Sequence, residues 1–150
     1  MKKFVYSLEA VMNYKQQVLE AVKEEYAKRL EKVAAKNQEI ENMKQRQQSL
    51  AEAFDEVKHS GAEIEKFLMY SELIAKLQRE IEYQYKLLAE LEEKAEEKKI
   101  EVVEAHIDLN KFIRLRERKL QEYKHEVQKD EEAFIEEFVA NASSRKILDH

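Results

Sequence analysis

The chain has 150 residues, a formal net charge of −5, and 39% Asp, Glu, Lys or Arg, with no proline, cysteine or tryptophan and a single glycine, Gly61. So few turn formers exclude a fold with several tight turns, and the lack of cysteine excludes a disulfide framework and fits a reducing cytosol. Interleaved signs leave no basic face for a run of phosphates, which argues against nucleic acid as a partner, while 43% hydrophobic residues at regular spacing argue against disorder.

The N-terminus begins basic with Lys2 and Lys3 but meets Glu9 before an apolar core of signal-peptide length can form. No apolar stretch approaches the ~20 residues of a membrane span, so no direct membrane insertion is expected.

From about residue 7 to about residue 58 the spacing predicts a first helix. Its apolar residues step by threes and fours through Leu8, Val11, Val18, Val22, Tyr26, Leu30 and Val33, and on through Ile40, Met43, Leu50, Phe54 and Val57. That is the seam of a coiled coil.

The break falls at about residues 59–62, where Gly61 can adopt the positive φ that ends a helix. Ser60 and Glu63 have the S-x-x-E spacing of a capping box. A second helix is predicted over about residues 63–140, with Ile64, Phe67, Ile74, Leu77, Ile81, Leu88 and Leu91 opening its seam, and the tail 141–150 is expected to fray. The predicted fold is all-α, a single domain over residues 1–150: a long antiparallel two-helix coiled-coil hairpin with unequal arms.

Residues that face each other across an antiparallel seam have position numbers with a constant sum. Val57 with Ile64, Phe54 with Phe67, Gln47 with Ile74, Ile40 with Ile81, Val33 with Leu88, Leu30 with Leu91 and Leu19 with Val102 all satisfy one sum, and Val11 with Leu109 misses it by one. The same arithmetic sets Asn37 against Gln84. Two polar seam residues there form either a register lock or a loosened, solvated layer.

The first helix would span ~80 Å and the second ~115 Å. The unmatched part begins near Arg116, leaving Leu120, Tyr123, Val127, Phe134, Ile135 and Phe138 without an intramolecular partner. An uncovered apolar stripe is a docking surface, a homodimer contact or a frayed end. Near the turn, Phe54, Phe67, Tyr70, Tyr83 and Tyr85 cluster, and Tyr83 and Tyr85 cannot both enter the seam. An exposed aromatic there either anchors a partner or merely flanks the seam.

Two Glu-x-x-His pairs, Glu56 with His59 and Glu122 with His125, have the spacing of di-iron bundle ligands. The hairpin would hold them ~90 Å apart, so no shared metal site is expected. His106 and His150 have no ligand-like neighbours. With no cysteine nucleophile, no G-x-S-x-G and no phosphate loop, neither enzyme activity nor a cofactor is expected. Charge runs such as Glu96-Glu97-Lys98-Lys99 read as solvated surface.

Two patterns are similar to those of a known family: Phe4-x-x-x-Leu8-x-x-Val11-Met12-x-Tyr14-Lys15 at the start, and Gly61-x5-Phe67-x2-Tyr70-x2-Leu73-x3-Leu77-x3-Ile81 after the turn. With the length and the hairpin position, they make the chain resemble the FliJ family, the soluble component of the bacterial flagellar type III protein export apparatus. The resemblance covers essentially the whole chain and implies a cytoplasmic chaperone or stalk, peripheral at the inner face of the membrane when assembled, built like the central stalk of rotary ATPases.

Its implied partners are the hexameric flagellar export ATPase, entered by the open end, the cytoplasmic domain of the membrane export gate, met by the turn-proximal half, and empty export chaperones. Carried onto this sequence, the gate contacts would be Met43, Leu50, Leu73, Leu77, Glu80 and Gln84. The ATPase contacts, taken from the uncovered stripe, would be Phe4, Leu8, Leu120, Tyr123, Val127 and Phe134. Two other readings remain open at this point: a coiled-coil stalk of another secretion or rotary ATPase, and a self-associating structural coiled coil.

Overall fold

A computed structural model describes residues 2–61 and 63–148. It is an all-α hairpin of two helices packed against each other, α1 over Glu9–His59 and α2 over Ile64–Leu148. The packing divides into two compact units, each built from both helices. One comprises Met1–Leu19 with Ala105–His150, the other Glu20–Glu104.

Each helix boundary has a local cause. The Glu9 amide donates to the Tyr6 carbonyl at 3.1 Å and the Met12 amide to the Leu8 carbonyl at 2.9 Å, and the acidic Glu9 sits where the helix dipole favours it. At the other end Lys58 and His59 place basic groups in the last turn, and Gly61 takes φ 67°. That left-handed conformation is costly for residues with a Cβ and ends α1.

The capping box does not form. Ser60 closes the end of α1: its amide donates to the Glu56 carbonyl at 3.0 Å and its hydroxyl to the Val57 carbonyl at 3.2 Å. The first turn of α2 hangs on the Glu63 carbonyl, which accepts from the amides of Lys66 and Phe67 at 3.1 and 3.3 Å. A capping box needs its serine at the start of the second helix, and Ser60 is still bonded into the first. Ala62, part of the expected turn, lies outside the described residues. So do Asp149 and His150; α2 otherwise stays helical through the 141–148 stretch expected to fray.

Within the Glu20–Glu104 unit, burial follows steps of four and three. On α1 the covered positions are Val22, Tyr26, Arg29, Val33, Lys36, Ile40, Met43, Gln47, Leu50, Phe54 and Val57, joined by Ala51 and Ala53. Opposite them on α2 come Tyr70, Ile74, Leu77, Ile81, Gln84, Leu88, Leu91, Ala95, Lys98 and Val102, joined by Leu87. Ile40 and Ile81, matched by the constant-sum rule, are both only 3% exposed, and the rings of Phe54 and Phe67 stand 4.9 Å apart.

Three expected seam positions in this unit are corrected. Ile64, expected opposite Val57, is 76% exposed because it is the first residue of α2. Leu30 is 46% exposed and Arg29 takes its place; Asn37 is exposed and Lys36 takes its place. Downstream the stripe runs Ile40, Met43, Gln47, Leu50, and continuing that phase backwards selects Lys36 and Arg29. Long cationic side chains can fill such positions because their methylene stems pack while the charged ends reach out. The Lys36 ammonium donates to Gln84 Oε1 at 2.7 Å and to Glu39 Oε2 at 2.8 Å, so the polar layer at Gln84 is made by Lys36 rather than Asn37.

A third cation, Lys98, is clamped by Glu25 and Glu101, each at 2.8 Å. The bond from Lys98, reinforced by its charge, holds the Glu25 carboxyl below its usual range. The bonds to Glu101 and Glu25 raise the Lys98 ammonium above its own.

In the other unit Tyr6, Leu19, Ala105 and Leu109 form the buried core, and Lys15 pairs with Asp108 at 3.7 Å. Val11, expected opposite Leu109, is exposed while the adjacent Met12 is half-buried, so the register does not drift.

Two outcomes follow from these contacts. An added Cβ at Gly61 meets nothing within 4 Å, so Gly61→Ala is strained by backbone conformation alone. It should lower the unfolding free energy by about 1 kcal/mol in urea titration, and Gly61→Asn by less; equal losses would remove the steric explanation. A carboxylate with a depressed pKa stabilises the fold above its ordinary pKa and loses that contribution as pH falls through the depressed value. In carbon-detected NMR titration of Lys98→Met, the Glu25 midpoint should rise towards its ordinary range, and an unmoved midpoint would disprove the clamp.

Candidate binding surfaces

A helix whose apolar residues fill only a narrow seam leaves the remaining faces to charge. The informative residues are therefore the large apolar ones outside the seam. They stand at the start of α2, at Ile100, Val103 and Ile107 in its middle, and near its end.

In the Glu20–Glu104 unit, the first turns of α2 expose Ile64, Phe67, Leu68, Met69 and Leu73. The run Phe67-Leu68-Met69-Tyr70 cannot all face α1, because consecutive residues on a helix point about 100° apart. Leu68 and Met69 were missed in the sequence reading, although the crowding of four large apolar residues in a row was the signal for them. Farther along, Glu39, Asn42, Met43 and Arg46 of α1 and Glu80, Tyr83 and Gln84 of α2 line a shallow groove. Tyr83 is exposed there. Tyr85 is exposed too, with the Lys44 ammonium 5.1 Å from its ring centroid.

The six residues assigned to gate contact divide on this surface. Leu77 is 6% exposed and belongs to the core; Met43 and Leu50 are half-buried in the seam, and Gln84 is half-buried and bonded to Lys36. Leu73 and Glu80 are open to solvent. Met43, Glu80 and Gln84 are brought together along the groove, while Leu77 is a structural residue.

In the other unit, the stripe expected to be uncovered from Arg116 onward is covered as far as Tyr123. Residues 2–6, which precede α1, run back along α2. Tyr6 is 5% exposed and its hydroxyl donates to the Phe112 carbonyl at 3.0 Å. Tyr123 donates its hydroxyl to the Lys2 carbonyl, the rings of Phe4 and Tyr123 lie 5.6 Å apart, and the Arg116 guanidinium stands 5.5 Å from the Phe4 centroid. Position 2 meets position 123 and position 6 meets position 112, so the segment runs antiparallel to α2. Eleven helical residues rise ~16 Å and four extended residues reach ~14 Å, so the segment is close to fully extended and the tyrosine side chains supply the remaining reach.

Of the six residues assigned to ATPase contact, Phe4, Leu8, Leu120, Tyr123 and Val127 are half-buried. Phe134 is 70% exposed. With it Ile135, Phe138 and Val139 stand open, bordered by Asp130, Glu131, Glu132, Glu136 and Glu137. Both surfaces offer apolar side chains that a partner can desolvate, framed by charge that limits which partner fits. Among the described residues no group of three His, Cys, Asp or Glu side chains could hold a metal ion, and no helix is long and apolar enough to cross a membrane.

Compared with known proteins, residues 3–147 match a family described as the flagellar FliJ protein. No curated protein and no solved structure matches. The family match takes in both helices, the turn and both exposed surfaces, and the chain belongs to the FliJ family, a component of the flagellar protein export apparatus.

Proposed function

We propose that the protein is a non-enzymatic, cytoplasmic stalk of the flagellar type III export apparatus that joins two partners: the hexameric export ATPase at the end carrying the termini, and the cytoplasmic domain of the export gate near the turn. Family membership supports the setting. The observation that carries the two-partner reading is the exposure of Ile64, Leu68, Met69 and Leu73 at the start of α2 and of Phe134, Ile135, Phe138 and Val139 near its end.

At the terminal end the contact is built on Phe134, Ile135, Phe138 and Val139. Phe4, Leu8, Leu120, Tyr123 and Val127 form the packed base from which they extend. Near the turn, Leu73 and Glu80 face the gate, with Met69 and Tyr83 beside them, while Met43, Leu50, Leu77 and Gln84 hold the two helices in position beneath. Docking there would place the protein at the inner face of the membrane without inserting into it, and exported-protein chaperones would use the same rigid surface.

Phe134→Asp with Phe138→Asp, measured by calorimetry against the purified ATPase, should weaken binding about a hundredfold, the scale of a lost interface anchor pair. Binding of the gate domain and the circular dichroism spectrum should stay unchanged. Leu73→Asp with Tyr83→Asp should reverse the pattern, sparing the ATPase and weakening the gate by about thirtyfold. If either pair affected both partners equally, the separation into two surfaces would be wrong.

A further inference from the structure

The segment Lys2–Ser7 occupies the same stripe of α2 that continues uncovered at Phe134 and Phe138. Tyr6 anchors it at 5% exposure, and the rest of it is attached lightly. Its side chains meet α2 through Tyr6 at Phe112 and through Phe4 at Tyr123 and Arg116, and its backbone through the Tyr123 hydroxyl at the Lys2 carbonyl. Val5 is 80% exposed and Lys2, Lys3 and Ser7 are exposed as well. Short non-helical segments held by a few side-chain contacts open at far lower free energy than packed helices.

We infer that Lys2–Ser7 is a releasable strap, whose departure from α2 lengthens the apolar docking stripe from Phe134 and Phe138 back through Val127, Tyr123 and Leu120. Tyr123, half-buried and in contact with both Phe4 and the Lys2 carbonyl, is the residue the strap withholds, and Leu120 and Val127 are half-buried on either side of it. Positions 120, 127, 134 and 138 recur at spacings of seven and four, so they share one helical face and a single partner helix or pocket could cover them together. Strap and partner therefore compete for one surface. While the strap is closed, the apparent affinity of the partner is reduced by the fraction of molecules in the open state. The partner named here is the export ATPase, and that half of the inference rests on the reading given above; the opening of the strap does not.

The strap can be loosened without creating a cavity, by removing only hydroxyl groups. In the full chain, Tyr6→Phe deletes the bond to the Phe112 carbonyl and Tyr123→Phe the bond to the Lys2 carbonyl. Each should shift the closed-to-open ratio about fivefold towards open, the effect of one ordinary hydrogen bond. Hydrogen exchange at the Glu9 amide, bonded to the Tyr6 carbonyl, should quicken accordingly, while amides of α2 around Leu120 to Val127 keep their protection.

Binding of the ATPase should tighten, by up to the same factor for each substitution, and an environment-sensitive apolar dye should bind the double variant more strongly than the parent. Unchanged Glu9 exchange would show that these bonds do not hold the segment and would overturn the inference. Faster exchange with unchanged or weaker ATPase binding would overturn the competition, making the strap itself part of the contact. If neither the parent nor any variant binds the ATPase, the ATPase reading falls instead. Exchange and dye uptake then still decide the strap, and unaltered dye uptake in the double variant overturns it.

Discussion

Each helix has one narrow stripe with which to bury anything, and every other feature of the protein depends on that limit. Two positions in seven face the opposite helix, so stability comes from many thin layers rather than from a central core. Among the described residues only nine hydrophobic ones are buried outright, and no polar or charged residue is. Keeping the stripe in phase therefore matters more than the chemistry of any one layer. Arg29, Lys36 and Lys98 also take seam positions, and the charged ends of Lys36 and Lys98 reach acids or amides at the border.

These polar layers answer a problem that a uniformly apolar seam would have. Leucine against leucine packs almost equally well one heptad away, whereas a cation that must reach a particular amide or carboxylate does not. Lys36 at Gln84 and Lys98 between Glu25 and Glu101 tie particular positions of α1 to particular positions of α2. The gain in energy at such exposed sites is small, but the gain in uniqueness of register is not.

The same economy explains where binding happens. A helix pair with its stripe fully used is a charged surface to the rest of the cell. Apolar side chains are spare where the seam does not absorb them: beside the turn, where α2 begins with more large residues than one face holds, at Ile100, Val103 and Ile107 in the middle of α2, and at Phe134, Ile135, Phe138 and Val139. A helical protein with exposed apolar side chains in each unit suits a component of an assembly, and it fits the family to which this chain belongs.

Much of this was legible before any coordinates. One glycine in a chain without proline located the turn, and the constant sum of facing positions paired Ile40 with Ile81 and Phe54 with Phe67, because both are consequences of local conformation and helical period. The choice between Leu30 and Arg29, or Asn37 and Lys36, was not legible. Either member of each pair preserves the three-and-four rhythm, and apolar preference pointed to leucine while the phase of the packed helices selected the cations. Nor could the strap be read from Lys2 to Ser7, since contacts more than 100 positions apart leave no trace in local periodicity. What the sequence by itself determined was the period, the turn and the pairing of the helices, all set by short-range geometry. Tertiary structure alone decided which residues near the termini are covered, because that depends on which segment reaches the stripe of α2 first.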